Sequence, residues 1–150
     1  MNQIVRITKE FTFEMAHVLD RYDGPCSNIH GHSYRLCVTV SGIPVNDTNS
    51  PKEGMVMDFK DIKKIVTEKI LNIFDHSIAV SKGYIKDNDM LLMSKALKNM
   101  VMLDYQPTCE NLVTDFASRL KNSFPEGVSL HSLRLYETPI SFAEWFASDN

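Results

Sequence analysis

No long apolar run is present in the sequence. Nothing in its 150 residues approaches the roughly 20 consecutive apolar residues of a membrane-spanning helix, so no membrane span is expected. The opening MNQIVRITKEF lacks the apolar h-region of a secretory signal, and a cytoplasmic location is the expectation. Cysteine is scarce. Cys26, Cys37 and Cys109 form an odd and scattered set, which argues against a disulfide framework and suits a reducing compartment. Basic residues are outnumbered 16 to 19, giving a formal net charge of −3, and they do not cluster. The electrostatic footprint of a nucleic-acid binder is therefore missing. The expected partner is a small molecule, with no nucleic acid and no membrane. Internal repeats, low-complexity segments and an H-E-x-x-H motif are also absent.

What remains is an ordinary globular composition, 43% hydrophobic and 23% charged, read as one domain over residues 1–150. Residues 5–15 alternate, with Val5, Ile7, Lys9, Phe11, Phe13 and Met15 on one parity and Arg6, Thr8, Glu10, Thr12 and Glu14 on the other. That is a strand with one buried face, and His17 continues the apolar parity. Residues 20–28 read as a loop. From His30 the chain alternates again, and His30, His32, Tyr34, Leu36, Val38 and Val40 share one face of a second strand ending near Gly42. After a polar loop over 43–54, GMVMDF delivers Asp58 as the N-cap of a helix. Phe59, Ile62, Ile65, Val66, Ile70 and Ile73 lie on its apolar side, and it ends at Phe74.

Residues 77–106 carry the weakest pattern. A loop is expected at 86–89, a short helix over 90–97 and a short strand over 100–103. Thr108 then caps a second helix with Leu112, Phe116 and Leu120 at four-residue spacing. Leu133, Leu135 and Glu137 share one face of a later strand, Thr138-Pro139 turns, and residues 140–146 form a closing strand. The order β-β-α-α-β-β predicts an α+β domain: a four-stranded antiparallel sheet with two main helices on one face.

Chemistry concentrates on the histidines. If the first two strands pair antiparallel, His17, His30 and His32 converge at one end of the sheet, on its apolar side. Three neutral imidazoles with an open fourth position are a catalytic zinc set, whereas a lone histidine is more often an ordinary half-buried residue. Cys26, in a Gly-Pro turn four residues before His30, is open to three readings: buried filler, fourth metal ligand or reactive thiol. Asp75-His76 lies just past a helix end, where an acid beside an imidazole fixes its tautomer and supports its protonated form. A carboxylate at Glu137, on an inward parity, needs a partner, either a basic residue or a ligand edge shaped like guanidine. Glu110 is a further candidate for substrate contact, in a helix turn that favours acids on helix grounds alone.

Together the motifs resemble the family of 6-pyruvoyl- and 6-carboxy-tetrahydropterin synthases. The matches are Phe13-x3-His17-x-Leu19, Cys26-x3-His30-Gly31-His32-x-Tyr34, Gly54 to Phe59 (GMVMDF), Asp75-His76, Pro107-Thr108-x-Glu110-Asn111 and Glu137-Thr138, all in the family's order. The resemblance implies a tunnelling fold whose subunits build an oligomeric barrel. Three copies form the barrel, and two trimers stack as a homohexamer with sites between subunits. It further implies Zn2+ on His17, His30 and His32, Cys26 as base, Asp75 and His76 completing a proton relay, and Glu137 anchoring a pterin with help from Thr108. The implied substrate is 7,8-dihydroneopterin triphosphate. Three residues between Cys26 and His30 look like the 6-carboxy branch of queuosine precursor synthesis, with the pyruvoyl branch or a silent pterin binder as alternatives. Two departures stand out: Met15-Ala16 where the family has Ala-Ala, and a long stretch between His76 and Pro107 that bears on the pocket mouth.

Overall fold

The structure, a computed structural model, describes residues 3–88 and 97–150. Its spine is two 13-residue strands. β1 (Val5–His17) and β2 (His30–Gly42) pair antiparallel along their whole length, from Val5 opposite Gly42 to His17 opposite His30. Register follows from the pleat, because a slip of one residue would turn every apolar side chain to water. Phe11, Phe13, Met15, Tyr34, Leu36, Val38 and Val40 are buried on one face, while Glu10, Thr12 and Glu14 point the other way into solvent. Phe13 and Tyr34, directly opposite, stack with ring centroids 5.1 Å apart. Such a pair adds about 0.5–1.5 kcal/mol beyond its buried area.

Asp58 accepts from the Lys60 N–H at 2.8 Å and starts α1 (Phe59–Val66). The helix runs on through a π-helical stretch (Thr67–Leu71) and a last turn (Asn72–Phe74). Ile62, Val66, Ile70 and Phe74, four apart, are fully buried against the sheet. Phe59, expected on that stripe, is instead 48% exposed. As the first helical residue it falls at the sheet margin, where the Lys9 ammonium lies 5.9 Å from its ring.

The sheet departs from expectation on its other flank. β3 (Ser77–Ser81) adds parallel to the end of β1, with Met15 opposite Ser77 and His17 opposite Ala79. α2 (Lys82–Asp87) follows, capped by Ser81, and β4 (Met100–Leu103) lies parallel to β3. The sheet therefore has six strands of mixed direction, in place of the four antiparallel strands expected. Ile78, Ala79 and Val80 are buried on both faces, so they carry no alternation to betray a strand. Ala79 joins the main core, whereas Ile78 and Val80 pack with Val18 and Ile85 in a second cluster. Lys86 and Asp87, expected in a loop, close α2. The strand expected over 100–103 is present; the helix expected over 90–97 lies almost wholly outside the described residues.

α3 (Cys109–Leu120) begins where Thr108 Oγ1 accepts from the Asn111 N–H at 3.3 Å. It buries Leu112, Val113, Phe116, Ala117 and Leu120 on the same side of the sheet as α1. Phe116 packs edge-on against Phe74 at 4.9 Å and Phe13 at 6.1 Å, which ties both helices to the spine. β5 (Val128–Thr138) pairs antiparallel with β2, and β6 (Ser141–Phe146) with β5, completing the order β4-β3-β1-β2-β5-β6. The β5–β6 register shifts between Tyr136 and Thr138, so Glu137 sits in a bulge, a feature that re-aims a side chain.

Candidate metal and catalytic site

The parity that buries the core ends in three imidazoles. His17 closes β1, and His30 and His32 open β2 across from it. A nitrogen from each lies within 4.8 Å of the other two. His17 is buried at 1% exposure, and its Nδ1 lies 2.7 Å from the Pro107 carbonyl. His30 Nδ1 lies 2.8 Å from the Asn28 carbonyl. A carbonyl only accepts, so both Nδ1 atoms carry hydrogen and both Nε2 atoms present lone pairs. Those two Nε2 atoms are 3.0 Å apart. His32 Nε2 is buried without a hydrogen-bond partner.

Glu137 turns into the same space. Its Oε1 lies 3.6 Å from His17 Nε2 and 4.0 Å from His32 Nε2. Lone pairs on buried imidazoles and a carboxylate crowd one point, an arrangement that repels itself unless a cation stands there. Burial holds the His17 and His32 imidazoles below their ordinary value, outweighing the upward pull of Glu137 on each. They stay neutral, which is the ligand form. The donor set fits a divalent ion of the zinc type, with His Nδ1 groups oriented by carbonyls in the usual outer-shell manner.

A family profile described as 6-pyruvoyl tetrahydropterin synthase matches residues 6–147. The chain belongs to the 6-pyruvoyl tetrahydropterin synthase family. It is 37% identical over 141 residues to the 6-carboxy-5,6,7,8-tetrahydropterin synthase of Haemophilus influenzae, covering 93% of this chain and 97% of that one. The protein of the same name from Synechocystis is 33% identical over 141 residues, 94% of this chain and 92% of that one. Among solved structures, the 6-pyruvoyl tetrahydropterin synthase of Caenorhabditis elegans superposes with a TM-score of 0.68 at 24% identity, over 97% of both chains. An uncharacterized protein from Wolinella succinogenes reaches 0.75 at 20% identity, over 97% of this chain and 99% of that one. These two likenesses establish the family's tunnelling fold.

The other expected residues differ in how near they lie to this cluster. Cys26 lies in a short 3-10 turn (Pro25–Ser27), half-buried, its carbonyl accepting from the Leu19 N–H at 2.9 Å. Leu19 is two residues past His17, so this bond brings the Cys26 turn to the end of β1 that carries the histidine. Thr108 and Glu110 border the same region: Pro107 touches His17, and the Cys109 thiol, pushed up to about 11 chiefly by burial, senses both Glu137 and Glu110. Asp75 and His76 lie outside the three-histidine cluster itself. Asp75 Oδ1 is 2.9 Å from His76 Nδ1, and the pair is strapped to the β1 backbone at Glu14. His76 lines a cavity of about 310 Å³ with Glu14, Met15, Ala16, Gly31, His32, Ser33 and Ser77, so one of the three histidines borders the same cavity.

Sequence reasoning gave no role to Tyr34 or to the Pro107 carbonyl. Tyr34 had a signal, a hydroxyl on an otherwise apolar parity, and its phenol is held above its ordinary value first by burial and then by Glu137. Pro107 had none, since its contact to His17 spans 90 positions.

Neutral buried imidazoles carry a pH consequence. In metal-free protein the unfolded chain takes up protons near the ordinary value of 6.5 that folded His17 and His32 refuse. Stability is therefore fully present above that value and is lost as pH falls through it. Calorimetry of chelator-treated protein between about pH 8 and about pH 5.5 should show Tm flat, then falling; a Tm that rises toward acid would contradict neutral burial.

Proposed function

We propose that the protein is a zinc-dependent 6-carboxy-5,6,7,8-tetrahydropterin synthase, a lyase acting on 7,8-dihydroneopterin triphosphate. The products are 6-carboxy-tetrahydropterin, acetaldehyde and triphosphate, and the pathway is queuosine precursor synthesis. The observation that carries this reading is the Glu137 carboxylate set beside three converging imidazoles, on a chain 37% identical to a 6-carboxy-5,6,7,8-tetrahydropterin synthase. A metal site and a guanidine-reading group in one cleft are what a pterin with a hydroxylated side chain requires. The free Cys26, Cys37 and Cys109 support a cytoplasmic setting.

Zn2+ held by His17, His30 and His32 supplies Lewis-acid polarisation of the side-chain hydroxyls. In this reading Glu137 accepts two parallel hydrogen bonds from the 2-amino and N3–H edge of the pterin. Thr108 and Glu110, at the start of α3, flank that edge. Cys26 Sγ takes a proton from the side chain, and His76, steadied by Asp75, moves a second one.

The attachment of Asp75-His76 to the backbone of Glu14, whose side chain points away from the three histidines, supports a site shared between copies. Strand edges support the same view. Among the described residues β3 covers only Met15 to His17 of β1, and β6 pairs only with β5. Such edges invite strand addition, and three copies joined edge to edge close a barrel, two of which make the hexamer.

Mass spectrometry of the product from 7,8-dihydroneopterin triphosphate and zinc-loaded protein tests the reading. A 6-carboxy-tetrahydropterin mass with acetaldehyde release is expected. A 6-pyruvoyl mass would move the protein to the pyruvoyl branch, and unchanged substrate would overturn the lyase assignment.

A further inference from the structure

The long stretch between His76 and Pro107 ends in a residue that the reaction does not use directly. Gln106 reads the backbone of Asp20 as a neighbouring strand would: its Oε1 accepts from the Asp20 N–H at 2.8 Å, and its Nε2 donates to the Asp20 carbonyl at 2.8 Å. Both partners are fixed backbone groups, so only one orientation of the amide satisfies them. The Gln106 carbonyl is itself occupied, accepting from the Thr108 N–H at 2.8 Å and from Asn111 Nδ2 at 3.0 Å.

The clamp joins two short runs of chain. On one, His17 is a candidate metal ligand, Leu19 holds the Cys26 carbonyl at 2.9 Å, and Asp20 takes the amide. On the other, Gln106 supplies the amide, Pro107 orients His17 through Nδ1 at 2.7 Å, and Thr108 caps the helix that carries Glu110. Beside the clamp the chain is held again: Arg21, at a left-handed φ of 55°, bonds Asp87 of α2 at 2.7 Å. A non-glycine residue keeps such a backbone only where its surroundings determine it.

We infer that Gln106 is a positioning residue, setting the Cys26 turn and the His17 ring in register with one another. The end of that stretch, at Gln106, then serves the site as a buttress. This assignment rests on the proposed function for its catalytic consequence, while its structural content stands on the clamp alone.

Two variants test it. Gln106→Met keeps the volume and loses both hydrogen bonds. Gln106→Glu keeps the reach but sets an oxygen against the Asp20 carbonyl. Both are expected to quicken labelling of Cys26 by iodoacetamide, read by peptide mass spectrometry, about tenfold, and to weaken zinc retention against a chelator about tenfold, as outer-shell losses do. In turnover kcat should fall about tenfold with KM nearly unchanged, the mark of misplaced groups. Tyr105→Phe, which cuts the neighbouring 2.7 Å bond to Asp115, should lower Tm without moving the labelling rate. Wild-type labelling and zinc retention in Gln106→Met would overturn the inference, because space-filling would then suffice. A wild-type protein inert toward the pterin would instead sink the proposed function and leave the labelling result to judge the clamp.

Discussion

Exchanging His30 for alanine is expected to lower zinc affinity by well over about a hundredfold, since loss of an outer-shell partner alone costs about ten- to a hundredfold. Turnover at ordinary zinc concentrations should vanish with it. His30 is the informative ligand because its removal costs the fold little. It is half-exposed, and its Nδ1 bond goes to Asn28, only two residues away. His17→Ala would mix two effects, emptying a buried site and orphaning the Pro107 carbonyl. The metal-free His30→Ala protein should melt at or slightly above the metal-free parent, because the 3.0 Å contact between two Nε2 lone pairs disappears. Chelator competition and calorimetry on one preparation read both quantities. Retained zinc would remove His30 from the ligand set, and a large loss of metal-free Tm would show it to be a structural residue.

The spine of the fold was legible because it is half-buried. Alternation from Val5 to His17 and from His30 to Val40 fixes faces, and fixing faces brings three imidazoles together once the strands pair. Glu137 was legible for the related reason that a carboxylate after Leu133 and Leu135 breaks an apolar parity. β3 was not, because Ile78, Ala79 and Val80 are buried on both faces and show no period at all. Nor was the placement of His76. The chain leaves α1 through a residue at φ 56°, and sequence spacing does not say to which side such a turn leads. The Gln106 clamp is a contact of 86 positions between a side chain and a backbone, and no local pattern encodes it. Motif order thus named the candidate site residues, while the placement of Asp75 and His76 against Glu14 came only with the fold.

The proposed sharing of the site between copies makes the second large prediction. Cys26→Ala is expected to keep zinc and oligomer yet lower kcat about a thousandfold, within the range general acid–base groups supply. His76→Ala should do the same, since its ring is 77% exposed and its loss disturbs no core. The decisive preparation mixes the two dead variants and refolds them together. If a site takes Cys26 from one copy and His76 from the next, about a quarter of the sites in an even mixture hold both wild-type groups, and about a quarter of the activity returns. If each subunit used its own pair, no mixture would contain an intact site and activity would stay at the level of the variants. The proposed shared site predicts the first outcome. A mixture as dead as its parts, with zinc and oligomer intact, would mean that the Asp75-His76 pair serves its own subunit's site.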